Sequence, residues 1–361
     1  MIETKTLVVD VDDTISTHVN RNYDDAIPHL DIIQKLNKMY DAGWRIVYFT
    51  ARGQVSCNGD VALIESSRRP ALEAWMNKHG VKYNELLFGK PLGVYYIDDK
   101  SLRPEEFMAM EYKRFVGGSG GTIERLGSRL IKKADNVKEQ AEWYRHADGL
   151  CNIPKVNTIY GNSLDIEFID GPSLNTVCRR QHIDSLVDVI KRFKNVPAQT
   201  PDWNTMVERL RKHVSLNAIC NEEKIIRLLE SHQVTSFMEA NASFCHGDLT
   251  LENCIVRDEK TYLIDPNLPP KLYSSWLLDV GKLYQSLHFG YEELFSDYRA
   301  DVNKQDLFLY LQSQFDESYK PYFLLCELIH YIRMLKYKRD HQKVIVRDII
   351  GKIYKEVSEC F

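Results

Sequence analysis

"FCHGDLTLENCIVRDEKTYLIDPN", residues 244–267, interrupts a second half of the chain that otherwise reads as mostly helix from about Leu186 to the end. Its two turns, "HGDLTLEN" (246–253) and "YLIDPN" (262–267), set Asp248 and Asp265 17 residues apart. Transfer of a phosphoryl group from ATP needs positioning and charge neutralisation more than covalent chemistry. In this pattern Asp248 is the candidate that orients an acceptor hydroxyl or takes its proton. Asn253 and Asp265 are the candidates that hold magnesium against the nucleotide phosphates, and His246 is expected to brace the loop. The plainer reading is two turns closed by local side-chain hydrogen bonds.

Working outward, "VGGSGGTIERLGSRLIKKA" (116–134) reads as a glycine-rich loop followed by a hairpin. The backbone N–H groups of Gly118, Ser119, Gly120 and Gly121 can meet phosphates with little side chain in the way. Lys132 follows the apolar pair of "RLIKK" (129–133), where a kinase-like fold puts its phosphate-binding lysine. A helix over about 136–147 then offers Glu139 or Glu142 as its partner, with Glu142 preferred. Together these segments resemble the aminoglycoside phosphotransferase and choline kinase family over about residues 115–361. The resemblance implies a bilobal, kinase-like α+β domain with a small lobe over about 115–172 and a mainly helical lobe over about 173–361. It implies ATP and Mg2+ as cofactors, and "EFIDGPSL" (167–174) as the hinge that receives adenine, with Glu167 and Ile169 there. It also gives Asp279 of "WLLDVGKLYQSL" (276–287) a structural role. The absence of the HRD and DFG signatures points to a small-molecule acceptor.

The first 110 residues alternate strand and helix signals, as an α/β, Rossmann-like parallel sheet does. "TLVVD" (6–10), "RIVYFT" (45–50), "ELLFG" (85–89) and "VYYID" (94–98) read as buried strands. Helices are expected over 27–40 and 61–79, the second open to a break at Pro70. Reactive groups of such sheets sit at the carboxyl ends of the strands. Asp10, Thr50, Lys90 and Asp98 fall at or just beyond four such ends. A phosphate ester cleaved through a phosphoaspartate needs a nucleophilic carboxylate, a proton-shuttling carboxylate, a divalent cation and donors for the phosphoryl oxygens. Asp10 suits the first role and Asp12 the second. Thr50 and Lys90 suit the donors, and Asp10, Asp12 and Asp98, with Asp99 beside it, suit the cation. The DxDxT run, Thr50, Lys90 in "FGKP" and the acidic pair in "YYIDDKS" resemble the four motifs of haloacid dehalogenase (HAD) superfamily phosphatases, over residues 1 to about 113. The intervals of 36 residues from Thr14 to Thr50 and 40 to Lys90 leave no room for a large cap domain. Capless phosphatases of this kind often serve capsule or surface-polysaccharide pathways.

A chain of 361 residues, 44% apolar and 27% charged, suits two folded domains, here 1–114 and 115–361. A formal charge of −4 gives no basic excess for nucleic acid. The eight scattered cysteines, the N-terminus without a signal-peptide pattern and the absence of an 18-residue apolar run lead to an expectation of a cytoplasmic protein. The expected function is bifunctional: phosphomonoester hydrolysis at one site and ATP-dependent phosphorylation at the other. The substrates would be small sugars, polyols or amino alcohols, in precursor synthesis for surface polysaccharide or sugar nucleotides. Nucleic-acid end repair is a competing reading, opposed by the absence of a GxxxxGK[ST] loop. Another makes one domain a regulator or scaffold for the other.

Overall fold

From its amino end the chain forms strand β1 (Thr6–Val9), the two-residue strands β2 (Ser16–Thr17) and β3 (Ile27–Pro28), helix α1 (Leu30–Asp41), β4 (Arg45–Thr50), α2 (Val61–Lys78), β5 (Glu85–Phe88), α3 (Pro104–Ala109), β6 (Tyr112–Val116) and β7 (Thr122–Leu126). The structure, a computed structural model, describes all residues except 1–4, 19–22, 24, 99, 117–120, 199–201, 217, 218, 220, 268–272 and 296–299. It divides into two units, Met1–Val116 with Thr122–Gly127, and Gly117–Gly121 with Ser128–Phe361.

In the first unit β1, β4 and β5 pair in parallel, in that order. β4 is central, and its near-continuous apolar run is largely buried, as a strand covered on both faces requires. α1 buries Ile32, Ile33, Leu36 and Met39, one stripe at helical spacing. One expectation that stood open is settled here and one is corrected. α2 runs unbroken through Pro70, which lies on its solvent face, where water can take the carbonyl that proline leaves unpaired. Residues 94–98 form no strand, and Val94, Tyr95 and Ile97 stand almost fully exposed. Local bonds hold that segment instead: the Tyr96 hydroxyl donates to the Pro91 carbonyl (2.6 Å) and the Lys100 N–H to Asp98 (2.8 Å). β6 and β7 pair antiparallel, and Glu124 of β7 is wholly buried. It is ion-paired to Lys5 and accepts from Trp44 Nε1 at 2.9 Å.

The second unit contains β8 (Arg129–Lys133), α4 (Val137–Ala147), β9 (Val156–Tyr160), β10 (Ser163–Glu167), α5 (Leu174–Val177), α6 (Arg180–Lys194), α7 (Trp203–Leu216), α8 (Glu222–Leu229), α9 (His232–Ala240), β11 (Cys254–Arg257), β12 (Lys260–Leu263), α10 (Trp276–Leu287), α11 (Lys304–Ser313), α12 (Lys320–Met334) and α13 (Asp340–Ser358). β10 pairs antiparallel with β8 on one side and β9 on the other. β11 and β12 form the hairpin inside the quoted stretch. α10 is buried along nearly its whole length and packs on α6, α11 and α12. Its closest approach is to α12, where a Cβ added to Gly281 would lie 2.5 Å from Cys326 Cβ. Chain direction after the small sheet is fixed at Gly171, where a Cβ would lie 2.0 Å from the Val256 carbonyl oxygen. Among the described residues no helix is long and apolar enough to cross a membrane.

Candidate functional site

The stretch 244–267 folds as a loop, a single 3-10 turn and the β11–β12 hairpin, resting on α10. Asp279, at the first turn of α10 and fully buried, accepts the backbone N–H of His246 (2.7 Å) and of Gly247 (2.8 Å). Burial pushes its carboxyl up to about 7, against the pull of those two N–H groups. His246 is buried too. Its Nδ1 accepts from the Asp248 N–H (3.3 Å), so its Nε2 carries the proton and donates to the Ile264 carbonyl at 3.0 Å. Burial lowers its pKa to about 4, which keeps the ring neutral.

This framework presents Asp248. Burial favours its neutral form, but Lys282 of α10, 2.9 Å away, outweighs burial and holds the carboxyl below its ordinary value. Asn253 donates to the Asp248 carbonyl (2.9 Å) and carboxylate (3.3 Å). The Ile264 N–H bonds the Asn253 carbonyl at 3.0 Å, which ties the second acidic turn to the first. Asp265 there adopts a left-handed backbone (φ 55°). Its carboxylate is ion-paired to Lys132 and accepts from Gln140 at 2.8 Å, and the Tyr144 hydroxyl takes its N–H at 3.1 Å. Such over-determination is what sustains a sparsely populated backbone conformation.

The oxygens present suit a hard cation. Among the described residues neither Asn253 Oδ1 nor Asp265 Oδ2 accepts a hydrogen bond, and the two turns are joined. At the other end of β10, Glu167 pairs with Arg257 (2.7 Å) and accepts the Lys155 N–H (3.2 Å). Ile169 is buried, and no backbone hydrogen bond engages its N–H or C=O among the described residues. Gly118, Ser119 and Gly120 lie outside the described residues. Gly121 is constrained by crowding, since a Cβ would lie 2.6 Å from the Lys133 carbonyl oxygen.

The pairing of Lys132 with Glu142 is not found. Glu142 points to solvent on α4, and Lys132 takes Asp265 instead. Glu139, on the inward side, has a buried Oε2 with no hydrogen-bond partner among the described residues. Sequence reasoning missed Gln140 and Lys282. Gln140 is a polar residue in the buried stripe Val137, Gln140, Ala141, Tyr144 of α4, and Lys282 is the lone cation of the largely buried α10. In each case the misfit with its helix face was the available signal.

In the first unit Asp10, Thr50 and Lys90 gather at the carboxyl ends of β1, β4 and β5. Lys90 Nζ lies 2.6 Å from Asp10, whose other oxygen accepts the Val11 N–H at 2.8 Å. Thr50 is buried, and its hydroxyl accepts the Arg52 N–H (3.1 Å). Arg52, also unforeseen, is buried and forks onto Asp12 (2.8 Å). Asp98 is exposed on the unpaired segment, and Asp99 lies outside the described residues. Asp10 and Asp12 are thus each engaged by a cation. Among the described residues no three His, Cys, Asp or Glu side chains are grouped closely enough to hold a metal. The expected magnesium set Asp10, Asp12 and Asp98 is not assembled, because the strand that would have carried Asp98 does not form.

No family model and no curated protein matches the chain. Among solved structures, an MCSG target from Vibrio cholerae is 37% identical to it, covering 30% of this chain and 89% of that one, with a TM-score of 0.29. A choline/ethanolamine kinase family protein from Mesorhizobium loti is 13% identical, covering 69% of this chain and 87% of that one, with a TM-score of 0.46. Choline kinase from Cryptosporidium parvum is 15% identical, covering 69% and 90%, with a TM-score of 0.45.

Proposed function

We propose that residues 115–361 transfer a phosphoryl group from ATP to a hydroxyl of a small molecule, with Asp248 as the group that orients the hydroxyl and receives its proton. The observation that carries this reading is a half-buried Asp248 facing Lys282 and Asn253, one backbone hydrogen bond away from the turn where Lys132 and Asp265 pair. Lys282 on one oxygen keeps Asp248 ionised and Asn253 on the other fixes its rotamer, so the carboxylate is oriented before substrate arrives. Lys132 supplies a point charge for phosphate oxygens. Asn253 and Asp265 would hold Mg2+, which supplies charge neutralisation on the phosphates. The unpaired backbone of Ile169, beside Glu167, suits the edge of an adenine ring.

For residues 1–114 the reading is phosphomonoester hydrolysis with Asp10 as nucleophile. The convergence of Asp10, Thr50 and Lys90 on three adjacent parallel strand ends favours it. Asp10 lies against an ammonium that can equally hold a phosphoryl oxygen, and Asp12 is oriented by Arg52. The metal part of that reading has no support in the present arrangement of Asp98, and no step is derived through it.

The test is phosphorus NMR on the full chain with Mg–ATP and a panel of sugars, polyols, amino alcohols and their phosphates, beside Asp10→Asn and Asp248→Ala. Loss of general-base positioning should lower phosphoryl transfer by about 10²–10⁴-fold in Asp248→Ala. Asp10→Asn should abolish phosphate release alone. Transfer that survives in Asp248→Ala at the wild-type rate would remove Asp248 from its role.

A further inference from the structure

One stripe of α10 grips the loop that carries Asp248 at three successive points. Asp279 accepts the N–H groups of His246 and Gly247, Lys282 pairs with Asp248, and Ser286 Oγ accepts the Leu251 N–H at 3.2 Å. These positions are spaced three and four residues apart, so they share one helix face. Leu251 opens the 3-10 turn Leu251–Asn253, which the Asn253 N–H closes on the Thr250 carbonyl at 3.1 Å. At the end of that turn Asn253 meets Asp248. The first two grips belong to the site already described; the third has not been assigned a role.

Ser286 does not act alone. It is wholly buried, and its hydroxyl donates to Glu292 Oε1 at 2.6 Å. A hydroxyl has one proton, so giving it to Glu292 turns a lone pair towards the Leu251 N–H. Without that acceptor a serine in a helix can turn its proton to the carbonyl four residues back, here that of Lys282. Glu292 lies in the 3-10 turn Tyr291–Glu293, and its side chain is 2% exposed. Its other oxygen is 3.4 Å from Lys304 Nζ, at the start of α11. Lys304 also meets Glu293 at 2.9 Å and donates to Asn175 Oδ1 at 2.9 Å; Asn175 is on α5, which packs against the same 251–253 turn. A buried set of this kind is a weak source of stability. Its geometric effect is definite, since it aims one hydroxyl at the turn that ends in Asn253.

We propose that Ser286 and Glu292, anchored by Lys304, are positioning residues for phosphoryl transfer. They fix the 251–253 turn on α10 and, through it, the place of Asn253, which orients Asp248 and is the candidate magnesium ligand of the first acidic turn. They act through Asn253 and not on the reacting atoms. This inference rests on the phosphotransfer reading above. Groups that orient a metal ligand from behind change metal affinity or activity by about 10–100-fold when removed.

The test combines kinetics and hydrogen exchange on the full chain, with Ser286→Ala, Ser286→Thr and Glu292→Gln. Transfer is measured with Mg–ATP and glucose, glucosamine, glycerol or ethanolamine as acceptor, well below each variant's melting temperature. Ser286→Ala should lower kcat by about 10–100-fold and raise the free Mg2+ needed for half-maximal rate at fixed Mg–ATP. A merely destabilising change would lower the melting temperature and leave both unmoved. Ser286→Thr keeps the Oγ and should restore most of kcat. Exchange of the Leu251 amide, followed by mass spectrometry of overlapping peptides, should quicken about tenfold in Ser286→Ala and not in Ser286→Thr. Glu292→Gln still accepts from Ser286 but weakens the hold on Lys304. It should shift all three readouts in the same direction by less, and it decides the matter if Ser286→Ala fails to fold. Unchanged Leu251 exchange in Ser286→Ala, or unchanged kcat and Mg2+ dependence, would overturn the proposal. So would an equal loss of kcat in Ser286→Thr with Leu251 protection retained. Absence of transfer to any acceptor by the wild type, with Leu251 exchange quickened in Ser286→Ala, would instead sink the phosphotransfer reading and leave the tether of the turn standing.

Discussion

Lys282 stands three residues after Asp279, so one face of α10 supports the 246–247 backbone with a carboxylate and neutralises Asp248 with an ammonium. In Lys282→Met only burial would remain as the dominant influence, and the Asp248 carboxyl would rise from below its ordinary value. The acidic limb of the kcat/KM profile for phosphoryl transfer should then move to higher pH; an unmoved limb would detach the lysine from the chemistry. His246 gives a stability signature of its own. Its folded pKa of about 4 lies below the unfolded 6.5, so between these values the unfolded chain binds more protons. Its contribution is complete above about pH 6.5 and is lost as pH falls towards 4, by up to about 3 kcal/mol. His246→Gln can donate and accept as the ring does, and it should flatten this part of the dependence in urea unfolding at pH 7 and pH 4.5.

At the scale of elements, the α10–α12 contact has no room at Gly281. Gly281→Ala would press a methyl group against Cys326 and should destabilise the second unit by about 1–3 kcal/mol, seen as a lower urea midpoint with unchanged slope. Long periodic helices and apolar strands such as β4 were legible in the sequence because their patterns are local. The "VYYID" segment has the same composition as a buried strand but finds no paired neighbour, and composition does not specify pairing. Asp248, Asn253 and Asp265 can be nominated together from sequence because one short stretch holds all three, and the structure keeps their two turns joined. Gln140 and Lys282 were not nominated, since each meets its partner from more than 30 residues away along the chain. Glu142 was preferred over Glu139 with no means of knowing which side of α4 faces inward.

Across the whole molecule, the sequence changes texture near residue 114, and β7, beyond that point, groups with the first unit. β7 pairs along its length with β6, and its buried Glu124 takes Lys5 and Trp44, a need that no local pattern announces. In the full chain Glu124→Leu should cost about 3 kcal/mol, because it strands a partly buried lysine and a tryptophan N–H. In a fragment of residues 115–361 those partners are gone, water reaches the carboxylate, and the same change should cost nothing measurable by calorimetry. Only Gly127 and Ser128 separate β7 from β8 along the chain, although the two strands belong to different units. A gene rearrangement cut at the change of texture near residue 114 would carry Glu124 away from Lys5 and Trp44. The heritable edge of the first unit therefore lies after β7 and not at the change in sequence texture.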